Sequence, residues 1–239
     1  MRIGEAKALV TGGSRGIGLA TAELLAARGA RVAICGRDGK VVSEAAARFG
    51  GLGIVADVSD EAAVRAMVER VVAEFGDYDV LVNNAGFGSF APLLETTAAQ
   101  FRDVWETNVL GAMLVARESA RHFAARRGGA GGGNIVNIAS TAALRGFAGG
   151  SSYVASKFAL SGLTECWRAE LRSRNIRVMQ VNPSEVQTGF GARAGRPGRS
   201  AANPSKLVAA DVAQLIVSLL ELEDRGFVTD ATLWATNPQ

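Results

Sequence analysis

One segment of the sequence carries side chains suited to acid–base chemistry, because it holds a tyrosine and a lysine four positions apart. Tyr153 and Lys157 fall within Ser152 to Arg174, whose apolar spacing predicts a long helix. Residues at i and i+4 share a helix face. A free tyrosine has a pKa of roughly 10, and a nearby ammonium lowers it by favouring the phenolate. The pair therefore predicts that Lys157 lowers the pKa of Tyr153, which suits that phenol to acid–base chemistry.

A serine lies thirteen residues before the tyrosine, at the end of a predicted strand. Ser140 follows the apolar run Asn134 to Ile138. In an open α/β sheet the carboxyl ends of the strands face one crevice, where ligands bind. A hydroxyl there can donate to an oxygen that gains negative charge during a reaction. Taken singly, Ser140 as a turn cap, Tyr153 as packing and Lys157 as a solvated charge are equally ordinary interpretations.

A glycine-rich turn joins the first predicted strand to the first predicted helix. Thr11 is followed by Gly12, Gly13, Ser14, Arg15, Gly16, Ile17 and Gly18. Glycines let a backbone turn sharply and approach a pyrophosphate, and the following helix offers unpaired N–H groups to the phosphates. The turn predicts a dinucleotide site, with a tight structural turn as the alternative.

Short apolar runs alternate with helical patterns along the whole chain. The predicted strands are Ala6 to Val10, Arg31 to Ile34, Leu52 to Ala56, Asp79 to Val82, Asn134 to Ile138, Arg177 to Val181 and Ala231 to Trp234. The predicted helices are Gly16 to Ala27, Val41 to Phe49, Glu61 to Phe75, Ala98 to Arg126 with a bend near Gly111, Ser152 to Arg174 and Lys206 to Leu222. This alternation predicts an α/β fold with a doubly wound, parallel, seven-stranded sheet, forming a single domain over 1–239.

These motifs stand in the order and spacing of a known family. The relevant segments are Thr-Gly-x-x-x-Gly-x-Gly from Thr11, Asp57-Val58, Asn83-Asn84-Ala85-Gly86, Asn108 within Asn-Val-x-Gly, Ser140, and Tyr153-x-x-x-Lys157. The sequence resembles the short-chain dehydrogenase/reductase family over nearly its whole length, and broadly resembles its 3-oxoacyl-[acyl-carrier-protein] reductases. The resemblance implies a Rossmann fold and hydride transfer between a nicotinamide cofactor and a carbonyl or alcohol.

The resemblance also implies a role for each site residue. Tyr153 protonates the carbonyl oxygen, Ser140 hydrogen-bonds it, Lys157 holds the nicotinamide ribose, and Asn108 positions a water that links Lys157 to solvent. The cofactor is expected against Gly12, Ser14, Arg15, Gly16, Ile17, Gly18, Arg37, Asp57, Val58, Asn84, Ala85, Gly86, Tyr153, Lys157, Pro183, Val186 and Thr188. No metal is expected, since the lone His122 cannot build a cluster.

The end of the second predicted strand favours NADP(H) over NAD(H). An acidic residue there usually accepts hydrogen bonds from the adenosine ribose of NAD. This chain has Cys35-Gly36-Arg37, and Asp38 comes one position too late. Arg37 and Arg15 suit a 2′-phosphate, which accepts bidentate charged hydrogen bonds. NAD(H) stays possible if both arginines are merely solvated.

The loop after the sixth strand departs from the family pattern and leaves the substrate open. Ser184 stands where the family has glycine, and Glu185 follows it, either selecting polar substrates or pointing to solvent. The stretch Gly189 to Arg199 is a candidate lid. An acyl carrier protein is a candidate partner, for which Arg126, Arg127, Arg172 and Arg174 could form a docking patch. An NADPH-dependent ketone reductase is the main hypothesis; the alternatives are an NAD-dependent alcohol dehydrogenase and a non-catalytic NADP-binding regulator.

Bulk composition limits the other function classes. The 239 residues carry a net charge of +3, which is too weak to argue for nucleic-acid binding. No apolar run has membrane-spanning length. Cys35 and Cys166 are expected to be buried thiols in a reducing compartment. We therefore expect a cytoplasmic enzyme, and the resemblance adds a homotetramer or homodimer built on the helices that carry Asn108 and Tyr153.

Overall fold

A parallel sheet of seven strands forms the centre of the computed structural model, which describes residues 1–190 and 203–236. The strand order is β3-β2-β1-β4-β5-β6-β9, and all six pairings are parallel. The strands are β1 (Lys7–Thr11), β2 (Arg31–Gly36), β3 (Leu52–Val55), β4 (Val80–Asn83), β5 (Gly133–Ile138), β6 (Ile176–Pro183) and β9 (Asp230–Leu233). This confirms the predicted doubly wound, seven-stranded parallel sheet.

Helices cover both faces of the sheet. They are α1 (Gly16–Ala27), α2 (Gly39–Ala47), α3 (Glu61–Phe75), α4 (Ala98–Trp105), α5 (Ala112–Ala125), α6 (Ser151–Leu171) and α7 (Ala209–Glu221). One apolar core packs α1, α2 and α7 against the sheet, and a second packs α3 and α5 against its other face. In the sheet, β2 lies on one side of β1 and β4 on the other, so the strand order reverses at β1. A crevice opens at such a point, between the carboxyl ends of β1 and β4.

The predicted helix from Ala98 to Arg126 is continuous, and a π-helical turn lies where the sequence predicted a bend. Glu106–Gly111 form a π-helical turn between α4 and α5. Such a turn carries an extra residue within the helix and is common at functional sites. A Cβ on Gly111 would lie 2.8 Å from Val58 Cγ2, so the helix packs closely on the end of β3 there. The π-turn contains Asn108, one of the predicted site residues.

Two helices begin two or more residues away from their predicted starts. Helix α2 begins at Gly39 rather than Val41, because the Asp38 carboxylate accepts the Val41 N–H and caps the helix. Helix α7 begins at Ala209 rather than Lys206, and the residues before it form a short strand. That strand, β8 (Leu207–Val208), pairs in parallel with β7 (Val186–Gln187), and neither was predicted.

The two cysteines differ from one another, which corrects the expectation that both are buried. Cys35 is fully buried in β2, and burial raises the pKa of its thiol to about 12. Cys166 is exposed on α6, because it lies on the outer face of that helix. Both are free thiols. Of the proposed lid, only Gly189 and Phe190 lie within the described residues.

Candidate active site

The glycine turn approaches the loop after β4 so closely that side chains would not fit. Gly12 has φ +60°, and a Cβ there would lie 3.0 Å from Ala85 Cα. Gly16 has φ +53°, a conformation that other residues rarely adopt. A Cβ on Gly18 would lie 2.5 Å from both Asn84 Nδ2 and the Gly12 carbonyl oxygen. The backbone surface on this side of the crevice is therefore bare.

Side chains from β1 and the loop after β4 hold the turn in place. Asn84 Nδ2 donates to the carbonyl oxygens of Thr11 at 2.9 Å and Gly12 at 3.2 Å. The buried Thr11 hydroxyl accepts the N–H groups of Asn84 and Ala85, each at 3.0 Å. Asn84 and Ala85 thus brace the turn, and Thr11 is a contributor that the sequence analysis did not single out.

Helix α1 presents its amino end to the crevice. The first N–H groups of a helix, here those of Gly16, Ile17 and Gly18, have no acceptor within the helix. Arg15 precedes them with an exposed side chain that does not cap the helix. Thr188 lies opposite, since a Cβ on Gly16 would be 3.4 Å from its Cγ2. Bare backbone, free N–H groups and a flanking hydroxyl fit the diphosphate of a dinucleotide.

A cleft of about 260 Å³ opens beside this turn, at the ends of β2 and β3. Its lining includes Arg37, Asp57, Ser59 and Phe87, with carboxylates of the α4 region on the far side. Burial works to raise the pKa of Asp57, but hydrogen bonds from Ser59 and the charge of Arg37 outweigh it and hold the pKa below its usual value. Asp57 is therefore an anion at neutral pH, and its contact with the cofactor stays a prediction.

Of the two arginines expected to bind a 2′-phosphate, Arg37 lines this cleft, whereas Arg15 is not among its lining residues. Arg37 is mostly exposed and its guanidinium is 3.8 Å from Asp57, a loose contact. Gly36 faces Ser14, since a Cβ on it would lie 3.3 Å from the Ser14 hydroxyl. Asp38 is turned to the amino end of α2 and caps it. The cap gives Asp38 a structural role and leaves Arg37 as the charged residue at the end of β2.

Lys157 occupies a buried position between α6 and the sheet. Its Nζ donates to the Ile138 carbonyl oxygen at 2.8 Å and lies 5.7 Å from the centre of the Tyr153 ring. A Cβ on Gly86 would be 3.8 Å from the same nitrogen. Burial lowers the pKa of the ammonium to about 8. The structure thus brings Gly86, Tyr153 and Lys157 together, and adds the Ile138 carbonyl as a partner.

Asn108 is buried and fastens three parts of the site. Its Nδ2 donates to the Phe87 carbonyl at 2.9 Å and to Ser156 Oγ at 3.0 Å, and its Oδ1 accepts the Phe87 N–H at 3.0 Å. Ser156 in turn donates to the Tyr153 carbonyl at 2.7 Å. The π-turn is therefore joined to the loop after β4 and to α6. Ser156 was missed in the sequence, although it lies three residues after Tyr153 on the same helix face. The water expected on Asn108 stays a prediction.

Ser140 lies at the carboxyl end of β5, as predicted. Its Oγ accepts the Ala142 N–H at 3.1 Å and so caps a single 3₁₀ turn, Thr141–Ala143. A hydroxyl that accepts one hydrogen bond still has its own hydrogen to donate. The cap and the predicted contact to a substrate oxygen are therefore compatible.

The loop after β6 completes the crevice, with Pro183 ending β6 and Val186 in β7. The Ser184 N–H donates to the Leu233 carbonyl at 2.9 Å. Glu185 is exposed, as one of its two proposed roles expects, and pairs with Lys206 at 2.6 Å. Its selection of polar substrates stays a prediction.

The proposed acyl-carrier docking patch loses one of its four members. Arg126 is largely buried, pairing with Asp77 at 2.9 Å and donating to the Gly132 carbonyl at 2.6 Å. It lies before the amino end of β5, at the sheet edge opposite Ser140. Arg127, Arg172 and Arg174 are exposed near that same edge. The patch is thus not beside Tyr153 on the same chain.

The described parts of the chain hold neither a candidate metal site nor a candidate membrane-spanning helix. No group of three or more histidine, cysteine, aspartate or glutamate side chains in residues 1–190 and 203–236 is arranged to hold a metal. None of the helices in those ranges is long and apolar enough to cross a membrane.

Comparison with known proteins agrees with the motifs. A family model described as short chain dehydrogenase matches residues 6–197. Carbonyl reductase family member 4 of Danio rerio is 37% identical over 221 residues, covering 90% of each chain. The crystal structure of a 3-ketoacyl-(acyl-carrier-protein) reductase from Brucella melitensis complexed with NADH superposes with a TM-score of 0.88 at 28% identity, covering 97% of each chain.

A second solved structure carries the other nicotinamide. It is an alcohol dehydrogenase from the archaeon Thermococcus sibiricus complexed with 5-hydroxy-NADP, with a TM-score of 0.84 and 28% identity over 98% of this chain and 99% of that one. The family match and the coverage of these relatives agree with the site geometry. The chain belongs to the short-chain dehydrogenase/reductase family and is an NAD(P)-dependent oxidoreductase that acts on an alcohol or its carbonyl counterpart.

Proposed function

We propose that this protein is an NADPH-dependent reductase that converts a ketone to a secondary alcohol, with Tyr153 as the proton donor. The observation that carries the proposal is the buried ammonium of Lys157. It donates a hydrogen bond to the Ile138 carbonyl oxygen, and its Nζ lies 5.7 Å from the centre of the Tyr153 ring. A buried charge is costly, and a strongly shifted ionisable group in a crevice is typical of a functional site.

The proposed reaction needs few steps from the protein. A reduced nicotinamide held between the glycine turn and Lys157 would supply the hydride that the carbonyl carbon accepts. Tyr153 donates its phenolic proton to the carbonyl oxygen, and Ser140 donates a hydrogen bond to the same oxygen. The product is the secondary alcohol, and Tyr153 regains a proton from solvent. Lys157 stabilises the phenolate between these events, and Asn108 with Ser156 keeps α6 in position.

The preference for NADPH rests on the charges beside the adenosine cleft. Arg37 and Arg15 are exposed cations on adjacent loops, and Asp38 is occupied as a helix cap. A 2′-phosphate would accept charge-assisted hydrogen bonds from both guanidinium groups. The relatives are divided, since one solved structure holds NADH and another holds a modified NADP. The arginines therefore carry this part of the proposal.

We also propose a homotetramer or homodimer in the cytoplasm. Four apolar side chains on or beside the helices of Asn108 and Tyr153 are exposed in the single chain: Phe101, Trp105, Leu110 and Phe158. Exposed apolar patches of this kind mark protein interfaces. A second copy would cover them on both subunits, as a two-fold interface requires.

The first experiment is a fluorescence titration of the purified protein with NADPH and NADH at equal ionic strength, followed by a ketone screen. Tighter binding of NADPH and its oxidation on adding a ketone are expected. Tighter binding of NADH would favour an NAD-dependent alcohol dehydrogenase instead. Binding of NADPH without turnover of any ketone or alcohol would favour a non-catalytic regulator.

A further inference from the structure

We propose that the substrate is an uncharged ketone that carries an apolar ring, as in aryl and alicyclic ketones. The inference rests on the proposed function and names the substrate class of the same site. It comes from a cluster of three phenylalanines that begins at the Tyr153 ring, which we call the aromatic wall: Phe90, Phe147 and Phe190. None of them belongs to the motifs that carry cofactor binding or proton transfer.

Two rings of the aromatic wall contact the ring of the proposed proton donor, and the third packs on one of them. Phe90 and Tyr153 meet edge to face with ring centres 5.6 Å apart, and Phe190 lies 5.5 Å from Tyr153. Phe147 packs against Phe90 at 6.0 Å. Aromatic pairs at these separations attract one another beyond simple burial. A carbonyl that receives the Tyr153 proton therefore comes near Phe90 and Phe190, and Phe147 extends this surface from the far side of Phe90.

Three different loops bring the rings together, and small residues make room for them. A Cβ on Gly88 would lie 2.7 Å from the Phe90 ring and 3.2 Å from the Phe190 ring. A Cβ on Gly150 would lie 2.6 Å from the Phe147 ring. Phe90 follows β4, Phe147 follows β5 and Phe190 follows β7, so all three come from the carboxyl edge of strands.

Hydrogen bonds tie two of these loops to each other. Ser152 at the start of α6 donates to the Ser89 carbonyl at 2.8 Å, and the Ala91 N–H donates to the Gly149 carbonyl at 3.0 Å. Phe90 and Phe147 are therefore held on a fastened frame. A fixed wall is suited to recognise substrate shape, because little ordering is needed when the substrate binds.

Part of the wall remains exposed, which indicates a surface that a ligand covers. Phe147 is 42% exposed and Phe190 is 36% exposed. Exposed aromatic surface in a crevice gains from burial against an apolar ligand. Charged side chains on neighbouring loops are engaged with the protein: Glu185 pairs with Lys206 at 2.6 Å, and Arg145 lies over the Trp234 ring at 5.2 Å. Among the residues that the structure describes, the aromatic wall thus offers the substrate an apolar, aromatic surface.

Two ketones with different surroundings of the same carbonyl test the inference. The probes are acetophenone, with an aryl ring, and 1,3-dihydroxyacetone, small and polar, each measured with saturating NADPH. We expect kcat/KM for acetophenone to exceed that for dihydroxyacetone by about a hundredfold, since an apolar pocket discriminates by roughly 10–200-fold for even small apolar groups. Phe147→Ala should lower kcat/KM for acetophenone about tenfold or more, and for dihydroxyacetone less than threefold.

Matched variants separate selection from damage to the enzyme. Phe147→Leu keeps an apolar side chain and should lose less than Phe147→Ala on acetophenone. Leu222→Ala, an exposed apolar truncation just after α7, should leave both substrates unchanged. If Phe147→Ala lowers kcat/KM equally for both ketones, the aromatic wall does not select the substrate. The unmodified protein could instead reduce dihydroxyacetone better than acetophenone, with a turnover that Tyr153→Phe abolishes. That result would overturn the proposed substrate class and leave the proposed ketone reduction intact. Reduction of no ketone with either nicotinamide would overturn the proposed function itself.

Discussion

The ammonium of Lys157 donates a hydrogen bond of 2.8 Å to the carbonyl oxygen of Ile138, the last residue of β5. The contact joins α6 to the carboxyl edge of the sheet and buries a positive charge behind Tyr153. Burial lowers the pKa of this ammonium from 10.5 to about 8. The folded protein therefore holds a group that disfavours folding at neutral pH, which is a common feature of sites shaped for activity rather than stability.

Replacing Lys157 by methionine should stabilise the protein while abolishing turnover. Below pH 8 the lysine is protonated in both states, and the folded state bears the cost of the buried charge. A pKa lowered by this amount corresponds to roughly 3 kcal/mol, from which the lost hydrogen bond to Ile138 subtracts about 1 kcal/mol. Denaturant unfolding at pH 7 should show a larger free energy of unfolding for Lys157→Met, by on the order of 1–2 kcal/mol.

The pH dependence distinguishes this effect from improved packing. Between pH 8 and 10.5 the folded lysine is neutral while the unfolded chain still binds a proton, so the stability of the unmodified protein rises with pH. The advantage of Lys157→Met should therefore shrink across that range. A constant advantage from pH 7 to pH 10 would mean that Lys157 is not a buried ammonium whose pKa is lowered.

Removing the phenolic oxygen of Tyr153 should stop the reaction without removing the cofactor. General acid catalysis contributes on the order of 10²–10⁴ in rate, so Tyr153→Phe should lower kcat by about a thousandfold. The dissociation constant for NADPH, from fluorescence titration, should change less than about threefold, since the ring and its packing on Phe90 remain. Retained turnover in this variant would exclude Tyr153 as the proton donor.

The chain has a matched control, because it contains only two tyrosines. Tyr78 is fully buried, and its ring stacks on His122 with centres 4.9 Å apart. Tyr78→Phe removes the same atom from a ring outside the crevice. It should keep full turnover, so a loss confined to Tyr153→Phe would point to chemistry rather than to general damage.

The sequence was sufficient for the sheet and for the placement of most site residues. Strand, glycine turn and helix follow one another from Lys7 to Ala27 because the apolar runs and the glycines each limit the local backbone. Tyr153 and Lys157 could be placed on one face of a helix from their spacing alone. The parallel sheet then fixes Ser140 at the same edge, since strand ends share that edge.

Features that depend on tertiary packing could not be predicted from the sequence. The π-turn that contains Asn108 has the same apolar periodicity as an ordinary helix, so the pattern suggested only a bend. Cys166 lies in an apolar segment yet faces solvent, because periodicity gives a stripe and not its width. The aromatic wall combines Phe90, Phe147 and Phe190 from separate loops, and loop ends carry no periodic signal.

Adding one methyl group to Gly18 should impair both stability and cofactor binding. A Cβ there would lie 2.5 Å from Asn84 Nδ2 and from the Gly12 carbonyl oxygen, so the turn must shift. We expect Gly18→Ala to lower the free energy of unfolding by about 1–3 kcal/mol, as overpacking does, and to weaken NADPH binding at least tenfold.

Gly162→Ala is the control, since nothing lies within 4 Å of its Cβ position in α6. That variant should bind normally and gain about 0.5–1 kcal/mol from helix propensity. Equal behaviour of the two variants would contradict the close packing of the turn.

A charge placed among the exposed apolar side chains should dissociate the proposed oligomer. Phe101 and Trp105 stack on one face of α4 with ring centres 6.4 Å apart. A glutamate at Trp105 would be buried without a partner in any interface formed there, at a cost of several kcal/mol. Light scattering should show an oligomer for the unmodified protein and a smaller species for Trp105→Glu. A monomer in both cases would refute the interface.

Reversing charge at the adenosine cleft should shift the cofactor preference toward NADH. Arg37 is mostly exposed and only loosely paired with Asp57, so its guanidinium can turn to a 2′-phosphate. Arg37→Asp combined with Arg15→Ala removes two charge-assisted hydrogen bonds, each contributing about 1.5–3 kcal/mol. The ratio of kcat/KM for NADPH to that for NADH should therefore fall by about a hundredfold or more.

Arg70→Asp, an exposed charge reversal on α3, is the control, because it alters the net charge without touching the cleft and should leave the ratio unchanged. An unchanged ratio in the double variant would show that these arginines do not recognise the 2′-phosphate, whereas equal shifts in both variants would assign the preference to the overall charge of the protein.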